Sequence, residues 1–370
     1  MRRLAWLVLA TARAAPDTDT LLARAAALER WPDVAALLRR AAALDAWWDK
    51  GTPPPAWTVS GATQVRQPWR RIGAQANAKV VYRATVDRDR GAGVYGIESV
   101  VVKRSQKSSD AGGGTLYLEM LYLEVLRGAP GVPRLYGAWR DGKHVTYVVG
   151  DCGDPIGKGP PEYGTAPTVL SDAFRRKAEA QPLQLARSLL ACFRSWASTG
   201  HLQNSFKAEQ FTMTYKGEVF MVDGPRLLAN APLGEAVLRT WGSKLGESAL
   251  QKFLNAQRVK CETDDDCPPT KNNHSCRRPG SCEAGARGAP EARGKCLEGT
   301  CALLSEKTHV YDVANRPWLL PYIADRATGG DRAFLLALIR HASAEDPDDR
   351  PSFAELVGAI DRRVDGVTVN

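Results

Sequence analysis

Residues 99–125 read SVVVKRSQKSSDAGGGTLYLEMLYLEV, and two structural periods follow one another within this stretch. Ser99-Val-Val-Val102 is a β-branched run that predicts a strand ending at Lys103. The apolar residues that follow recur at i, i+3, i+4 and i+7, which predicts a helix; they are Leu118, Leu121, Tyr122 and Val125. This helix would carry Glu119. The stretch therefore predicts a lysine on a strand and a carboxylate on the next helix.

Similar elements extend in both directions from this stretch. Further β-like runs occur at Lys79-Val-Val-Tyr82 and His144-Val-Thr-Tyr-Val-Val149, and a helix passes through Leu185, Leu189, Cys192 and Trp196. Two more β-like pieces cover 210–214 and 218–222, and a further helix is expected at about 234–258. The predicted order is three strands with one helix between the second and the third, then a helix, two strands and mostly helices, an α+β arrangement.

The N-terminal half of this pattern resembles the smaller lobe of a protein kinase. Ile72-Gly73 with Val81-Tyr82-Arg83-Ala84 is similar to the first kinase hairpin, and Val100-Val-Val-Lys103 to the third strand with its lysine. The resemblance implies that Glu119 orients Lys103 for the phosphates of ATP, with Glu124 as the alternative partner. Taken alone, Lys103 would be read as a surface lysine.

The C-terminal half carries the matching metal-binding motifs. Lys207-Ala-Glu-Gln210-Phe resembles the catalytic-loop stretch of kinases, and Val222-Asp223-Gly224 stands where kinases have Asp-Phe-Gly. The resemblance implies that Asp223 and Gln210 hold Mg²⁺ or Mn²⁺, because hard cations prefer such oxygen ligands. It further implies that Gly73, Lys103 and Val149 line the ATP site. An Asp in an ordinary Asp-Gly-Pro turn is the other interpretation of residue 223.

Three departures bear on catalysis. Ser205 stands where kinases have the catalytic-base aspartate, and a serine does not accept the substrate proton at neutral pH without a base of its own. Gln210 replaces a metal-binding asparagine. The loop Gly73-Ala-Gln-Ala-Asn-Ala78 keeps one glycine, which limits the approach of backbone to phosphate. Phosphoryl transfer depends mainly on positioning, so slow activity remains compatible with these changes, and Glu209 is a candidate substitute base.

The C-terminal third carries a kinase signature and a cysteine cluster. Glu345-Asp-Pro-Asp-Asp-Arg350-Pro-Ser-Phe353 is similar to the late kinase signature, whose arginine is structural. Six cysteines lie at 261, 267, 276, 282, 296 and 301. Zinc ligation is the alternative, but the cluster has no Cys-x-x-Cys pair and one histidine, which favours disulfides. Their pairing is open, since six cysteines allow 15 connectivities. This combination resembles the divergent protein kinase domain family of cysteine-rich secretory-pathway proteins.

Cys152 and Cys192 fall outside the cluster. Under a kinase-like fold they would be near neighbours, so a bridge between them is a hypothesis that the resemblance suggests.

The N-terminus predicts entry into the secretory pathway. Arg2-Arg3, the apolar run Leu4 to Ala10 and Ala12-Arg13-Ala14 form a signal-peptide pattern, with a run too short to span a bilayer. A sequon at Asn273-His274-Ser275 agrees with this compartment. We expect a signal peptide at 1–15, a helical extension and Pro-rich linker at 16–66, a kinase-like N-lobe at 67–150, and a C-lobe at 151–370 with a cysteine-rich insertion at 259–303.

Charge does not indicate a nucleic-acid partner. The formal net charge is +9, but Arg and Lys are interleaved with Asp and Glu. We therefore predict that the protein binds no nucleic acid. From the N-terminus we predict no transmembrane span and a location in the ER or Golgi lumen or outside the cell. The expected partner is a secretory-pathway protein or glycan. The expected function is ATP and divalent-metal binding with weak phosphotransfer. The alternatives are a pseudokinase scaffold and a binding module made by the cysteines.

Overall fold

The computed structural model describes residues 40, 42–44, 46–48, 50–51, 53–54, 57–75, 79–89, 95–105, 109–142, 144–158, 168–197, 207–222, 262–263, 296–297, 300–301, 306–344 and 349–365. They form a mixed α+β structure whose sheets are antiparallel, which confirms the predicted class. The signal-peptide residues, the helix expected at 234–258 and four of the six clustered cysteines lie outside this description.

A five-stranded antiparallel sheet forms the N-terminal half. Its strands, in chain order, are β1 (Val65–Gln75), β2 (Lys79–Asp89), β3 (Tyr95–Ser105), β4 (Leu135–Asp141) and β5 (His144–Gly150). Their order across the sheet is β1-β2-β3-β5-β4, so β3 lies at its centre. The predicted β-like runs at 79–82, 99–102 and 144–149 fall within β2, β3 and β5.

The register of β2 and β3 is continuous over all eleven residues of each strand. Val81 opposes Lys103 and Lys79 opposes Ser105, so alternate residues of the two strands share one face. On the opposite face Val100, Val102 and Val148 are buried and pack with Val59 of the segment before β1. Two valines of the run before Lys103 are therefore buried on the face opposite to this lysine.

Helix α1 (Ser109–Val125) crosses the face of the sheet that carries Lys103. Its second half is buried and belongs to the main hydrophobic core, as the spacing of its apolar residues predicted; members include Tyr117, Met120, Leu121, Tyr122 and Val125. Glu119 is thereby held beneath the sheet.

The described part of the C-terminal half is mainly helical. The helices described there are α2 (Asp172–Ala180), α3 (Pro182–Ala197), α4 (Glu306–Asn315), α5 (Leu320–Arg326), α6 (Gly329–Ala342) and α7 (Phe353–Val364). The predicted face of α3 is buried at each of its four positions, Leu185, Leu189, Cys192 and Trp196. Helix α3 is the centre of this half, because α2, α5, α6 and α7 all contact it, as does the strand Val219–Met221.

Short strands complete this half. A three-stranded sheet contains β6 (Asp154–Pro155), β9 (Phe211–Met213) and β10 (Val219–Met221), in the order β10-β9-β6. Two hairpin-like pairs join β7 (Gly157–Lys158) to β8 (Val169–Leu170) and β11 (Cys296–Leu297) to β12 (Thr300–Cys301). In the second pair Cys296 lies opposite Cys301.

The segment before β1 packs onto α1 and β4. Leu44 and Trp47 are buried in the same core as α1, and the rings of Trp48 and Tyr117 meet edge to face at 4.8 Å. Thr58 and Val59 donate their backbone N–H groups to the carbonyl of Tyr136 at 2.9 and 3.1 Å. The described part of the extension thus shares its core with the sheet.

Arg350 has the structural role that its motif implied. It is buried, its Nε donates to the carbonyl of Ala344 at 2.7 Å, and its Nη1 donates to the carbonyl of Lys307 at 3.2 Å. Its guanidinium lies 4.5 Å from the centre of the Tyr311 ring. Arg350 therefore ties α4 to the chain that precedes α7.

None of the helices within the described part of the chain is long and apolar enough to cross a membrane.

Candidate functional site

Lys103 lies near the end of the central strand β3, with 4% of its surface exposed. Its Nζ contacts the Glu119 carboxylate and donates to the backbone carbonyl of Val222, where β10 has just ended. The ammonium also lies 5.7 Å from the centre of the Tyr147 ring on the neighbouring strand. A single side chain thus joins the sheet, α1 and the C-terminal half.

Glu119 is the carboxylate that contacts Lys103, as predicted. Burial alone would raise its pKa, but the ammonium groups of Lys103 and Lys79 outweigh burial and hold the pKa of this carboxyl well below its usual value. Glu119 is therefore ionised at neutral pH. The alternative partner, Glu124, contacts Arg127 and accepts the indole N–H of Trp57 at 3.0 Å.

A second lysine in the site was not predicted. The Nζ of Lys79 lies 2.9 Å from Oε2 of Glu119, and Lys79 is as deeply buried as its partner. From the sequence, Lys79 was read only as the first residue of a β-like run. Lys79 is two residues from Val81, so a strand places both side chains on one face. The register that brings Val81 opposite Lys103 is a property of the folded sheet, however, and the sequence pattern does not give it.

Gly73 lies on β1, which pairs with β2, and Val149 lies on β5, which pairs with β3. Gly73 pairs with Val81 across β1 and β2, and a Cβ built on it would lie an ordinary 4.0 Å from the Cβ of Val81. Val149 is buried and opposes Val101 of β3. Val81, Val101 and Val149 therefore put apolar side chains on the sheet face that bears Lys103.

The connection after β5 is fixed by a polar cluster. Asp151 accepts a hydrogen bond from the hydroxyl of Ser99 at 2.6 Å and forms an ion pair with Nε of Arg83 at 2.9 Å. Arg83 also reaches Asp154 at 3.1 Å. Because Arg83 and Ser99 belong to the sheet, this cluster attaches the start of the C-terminal half to β2 and β3.

Gln210 lies in the 3₁₀ turn Ala208–Gln210, directly before β9. Its side-chain oxygen Oε1 accepts the backbone N–H of Lys207 at 3.0 Å, and its own carbonyl accepts the N–H of Val222 at 2.9 Å. The second contact brings Gln210 beside the residue that precedes Asp223. Glu209 of the same turn is exposed. Asp223 itself and Ser205 lie outside the described residues.

The bridge suggested between Cys152 and Cys192 is wrong, because both are free, buried thiols. Cys152 Sγ donates to the carbonyl of Gly150 at 3.4 Å, and Cys192 Sγ donates to that of Gly131 at 3.5 Å. The two thiols are thus engaged with different carbonyls. Burial, with a smaller contribution from Asp151, raises the pKa of Cys152 to about 12, and burial raises that of Cys192 as well.

Among the described residues no group of three or more His, Cys, Asp or Glu side chains is arranged to hold a metal ion. The predicted metal ligand Asp223 is not among them. The predicted contact between Lys103 and Glu119 is present, while Lys79 and the Arg83–Asp151 cluster were missed. The metal-binding role predicted for Gln210 and Asp223 stays a prediction. In comparisons with known proteins, this chain matches no protein-family model and no curated protein.

Proposed function

We propose that this chain is a divergent protein-kinase-like protein of the secretory pathway that binds ATP and a divalent cation. The sheet-rich and helical halves would be the two lobes of a kinase-like fold, with the nucleotide between them and the cysteine-rich segment inserted in the second lobe. Its activity would be slow phosphotransfer to a secretory-pathway protein or glycan.

One observation carries this proposal: Lys103 contacts both Glu119 and the carbonyl of Val222, one residue before Asp223. A phosphate-binding ammonium on a strand must be held by a carboxylate from a helix, close to the aspartate that binds the metal. These residues are separated by 16 and 119 positions along the chain. Their convergence supports the proposal of an ATP site.

The donor set fits a nucleotide with its cation. Lys103 would hold the phosphates, Glu119 would orient Lys103, and Asp223 would ligate Mg²⁺ or Mn²⁺, whose charge neutralises phosphate oxygens when bound. The amide oxygen of Gln210 uses one lone pair on Lys207 and keeps a second for the cation. Val81, Val101 and Val149 supply apolar surface on the same sheet face for a purine ring.

A pseudokinase is the second candidate function, and Ser205 favours it. General-base catalysis contributes about 10²–10⁴-fold, so a serine in place of the base aspartate leaves a slow enzyme or a binding platform. In the platform case the cysteine-rich segment would provide the protein-binding surface. The two candidates share the ATP site and differ in phosphate transfer.

Thermal unfolding with ATP and Mg²⁺ or Mn²⁺ tests the proposal. Ligand at 100 times its Kd stabilises the folded state by about 2.7 kcal/mol, which raises Tm measurably. The shift should be lost in Lys103→Ala and Asp223→Asn and kept in Lys158→Ala, a matched change at an exposed lysine. Equal shifts in all four proteins would contradict nucleotide binding at this site.

Transfer of labelled γ-phosphate separates enzyme from pseudokinase. Label that appears on protein or glycan acceptors and disappears with Asp223→Asn identifies an enzyme. ATP binding without transfer under the same conditions identifies a pseudokinase.

Expression in a secretory host tests the compartment. We expect the mature chain to begin near Ala15 and to carry a glycan at Asn273 that a glycosidase removes. A cytosolic product with an intact N-terminus would contradict the assignment.

A further inference from the structure

Lys79 and Lys103 approach Glu119 from two adjacent strands. Lys79 is two residues before Val81, and Val81 opposes Lys103, so both lysines project from the same face of the sheet. Lys79 contacts Oε2 of Glu119 at 2.9 Å, while Lys103 contacts Oε1. The carboxylate is thus shared by two ammonium groups.

These three residues are all buried, at 4–7% exposure. Burying a lysine is costly and is offset by strong electrostatic partners. Glu119 is a partner that both lysines share, so it holds the two ammonium groups side by side at the proposed phosphate site.

We infer that Lys79 is a second phosphate-binding residue, which with Lys103 holds the polyphosphate of a nucleoside triphosphate. This inference rests on the proposed function and assigns it a further residue. An ammonium on a flexible four-carbon stem offers three donors and reaches phosphate as a point charge. Glu119 fixes the position of both groups before the anion arrives.

The position of Lys79 gives a reason for a second lysine. It is the first residue of β2 after the loop Gly73-Ala-Gln-Ala-Asn-Ala78, which has one glycine. Such loops bind phosphate through backbone N–H groups, which glycine allows to approach closely. In this loop, which has one glycine, the ammonium of Lys79 at the loop's end would take the place of backbone N–H groups as a donor to phosphate.

Isothermal calorimetry with ATP and with adenosine tests this role. Charge-assisted contacts to phosphate are strong, so Lys79→Met should weaken ATP binding by at least about tenfold and leave adenosine unchanged. Lys79→Arg, which keeps the charge, should retain most of the affinity. Arg104→Met is the matched control, since Arg104 lies on the opposite face of β3 and is paired with Asp141 in solvent.

The outcomes distinguish this inference from the function on which it rests. If Lys103→Ala abolishes ATP binding and Lys79→Met binds within twofold of wild type, the Lys79 role is wrong and the ATP site stands. If the wild type binds no ATP, both are wrong.

A measurement on the wild type covers the case in which the Lys79 variants do not fold. An acyl-phosphate derivative of ATP acylates amines that lie against the phosphates: an amide forms at Nζ, the acyl–phosphate bond breaks, and the nucleotide leaves. Mass spectrometry should find the acyl group on Lys79 and Lys103, and excess ATP should suppress it. Modification confined to Lys103 would overturn the inference.

Discussion

Trp57 donates its indole N–H to the carboxylate of Glu124 at 3.0 Å, joining the segment before β1 to the helix that carries Glu119. Glu124 is 2% exposed, so this hydrogen bond to a charged group forms away from water. Glu124, the alternative partner considered for Lys103, thus helps to hold this helix against the segment before β1.

Trp57→Phe should therefore lower the free energy of unfolding by about 1–3 kcal/mol, because a buried carboxylate loses a donor while an aromatic side chain is kept at this position. Urea unfolding measures the loss. In the double variant with Glu124→Leu, which lacks the acceptor oxygens, the two losses should not add, since each single change removes the same bond. Full additivity would show that the bond contributes nothing.

Gly137 permits close contact between β4 and the segment before β1. A Cβ on Gly137 would lie 1.8 Å from the carbonyl oxygen of Val59. Gly137→Ala should cost more than about 2 kcal/mol in urea unfolding, because backbone must move. Gly61→Ala, where a Cβ has open space, is the control and should cost less than about 1 kcal/mol. Similar values for both would contradict the close approach.

The ion pairs of Glu119 should make stability depend on pH in acid. The folded-state pKa lies below the ordinary value of 4.5, so the unfolded chain takes up the proton first as pH falls. The stabilisation is complete above about pH 4.5 and declines below it, by at most about 1.4 kcal/mol per pH unit. Glu119→Gln lacks this dependence.

Urea unfolding of wild type and Glu119→Gln between pH 6 and pH 3 checks this expectation. The wild type should be more stable at pH 6, by about 3–5 kcal/mol, because the variant leaves buried lysines without this carboxylate. The difference should narrow on acidification. A constant difference would mean that Glu119 titrates normally.

Cys152 and Cys192 should resist alkylation in the native protein. Both thiols are buried and their pKa values are raised, whereas alkylating reagents require an accessible thiolate. Iodoacetamide at pH 7.5, followed by mass spectrometry, should modify their peptides only after unfolding. A Cys152–Cys192 disulfide in the mapped peptides would contradict the structure.

Arg350→Lys should destabilise the protein although it preserves charge. Lysine cannot reproduce two donations to the carbonyls of Ala344 and Lys307 together with a planar contact on Tyr311. We expect a loss of about 2–4 kcal/mol in urea unfolding. Arg363→Lys, at an exposed ion pair with Asp331, should change stability by less than about 0.5 kcal/mol. ATP affinity of the folded protein should be the same in both variants.

Local patterns were sufficient to predict several elements of this fold. The valine run before Lys103, the apolar spacing in α1 and the buried face of α3 each depend on neighbours within a few residues, and all three were identified from sequence. The pairing of Lys103 with Glu119 required a resemblance to known motifs, because spacing alone does not distinguish Glu119 from Glu124.

Contacts between distant segments were not predictable in the same way. Lys79 enters the site through the register of β2 against β3, which no local pattern specifies. The packing of Trp48 on Tyr117 and of Trp57 on Glu124 joins segments some 67 or more residues apart. The predicted Cys152–Cys192 disulfide is wrong, because proximity in a fold does not determine whether two thiols face each other. Here they face two different backbone carbonyls.

Leu44 and Trp47 belong to the same hydrophobic core as α1, and this has a practical consequence. Removing everything before Val65 would remove Leu44 and Trp47 from the core that α1 shares and would take away the indole donor of Glu124. A fragment that keeps this core intact begins upstream of Leu44. If a protein shortened to Val65 failed to bind nucleotide, the failure would report a damaged scaffold and would not show that the site is absent.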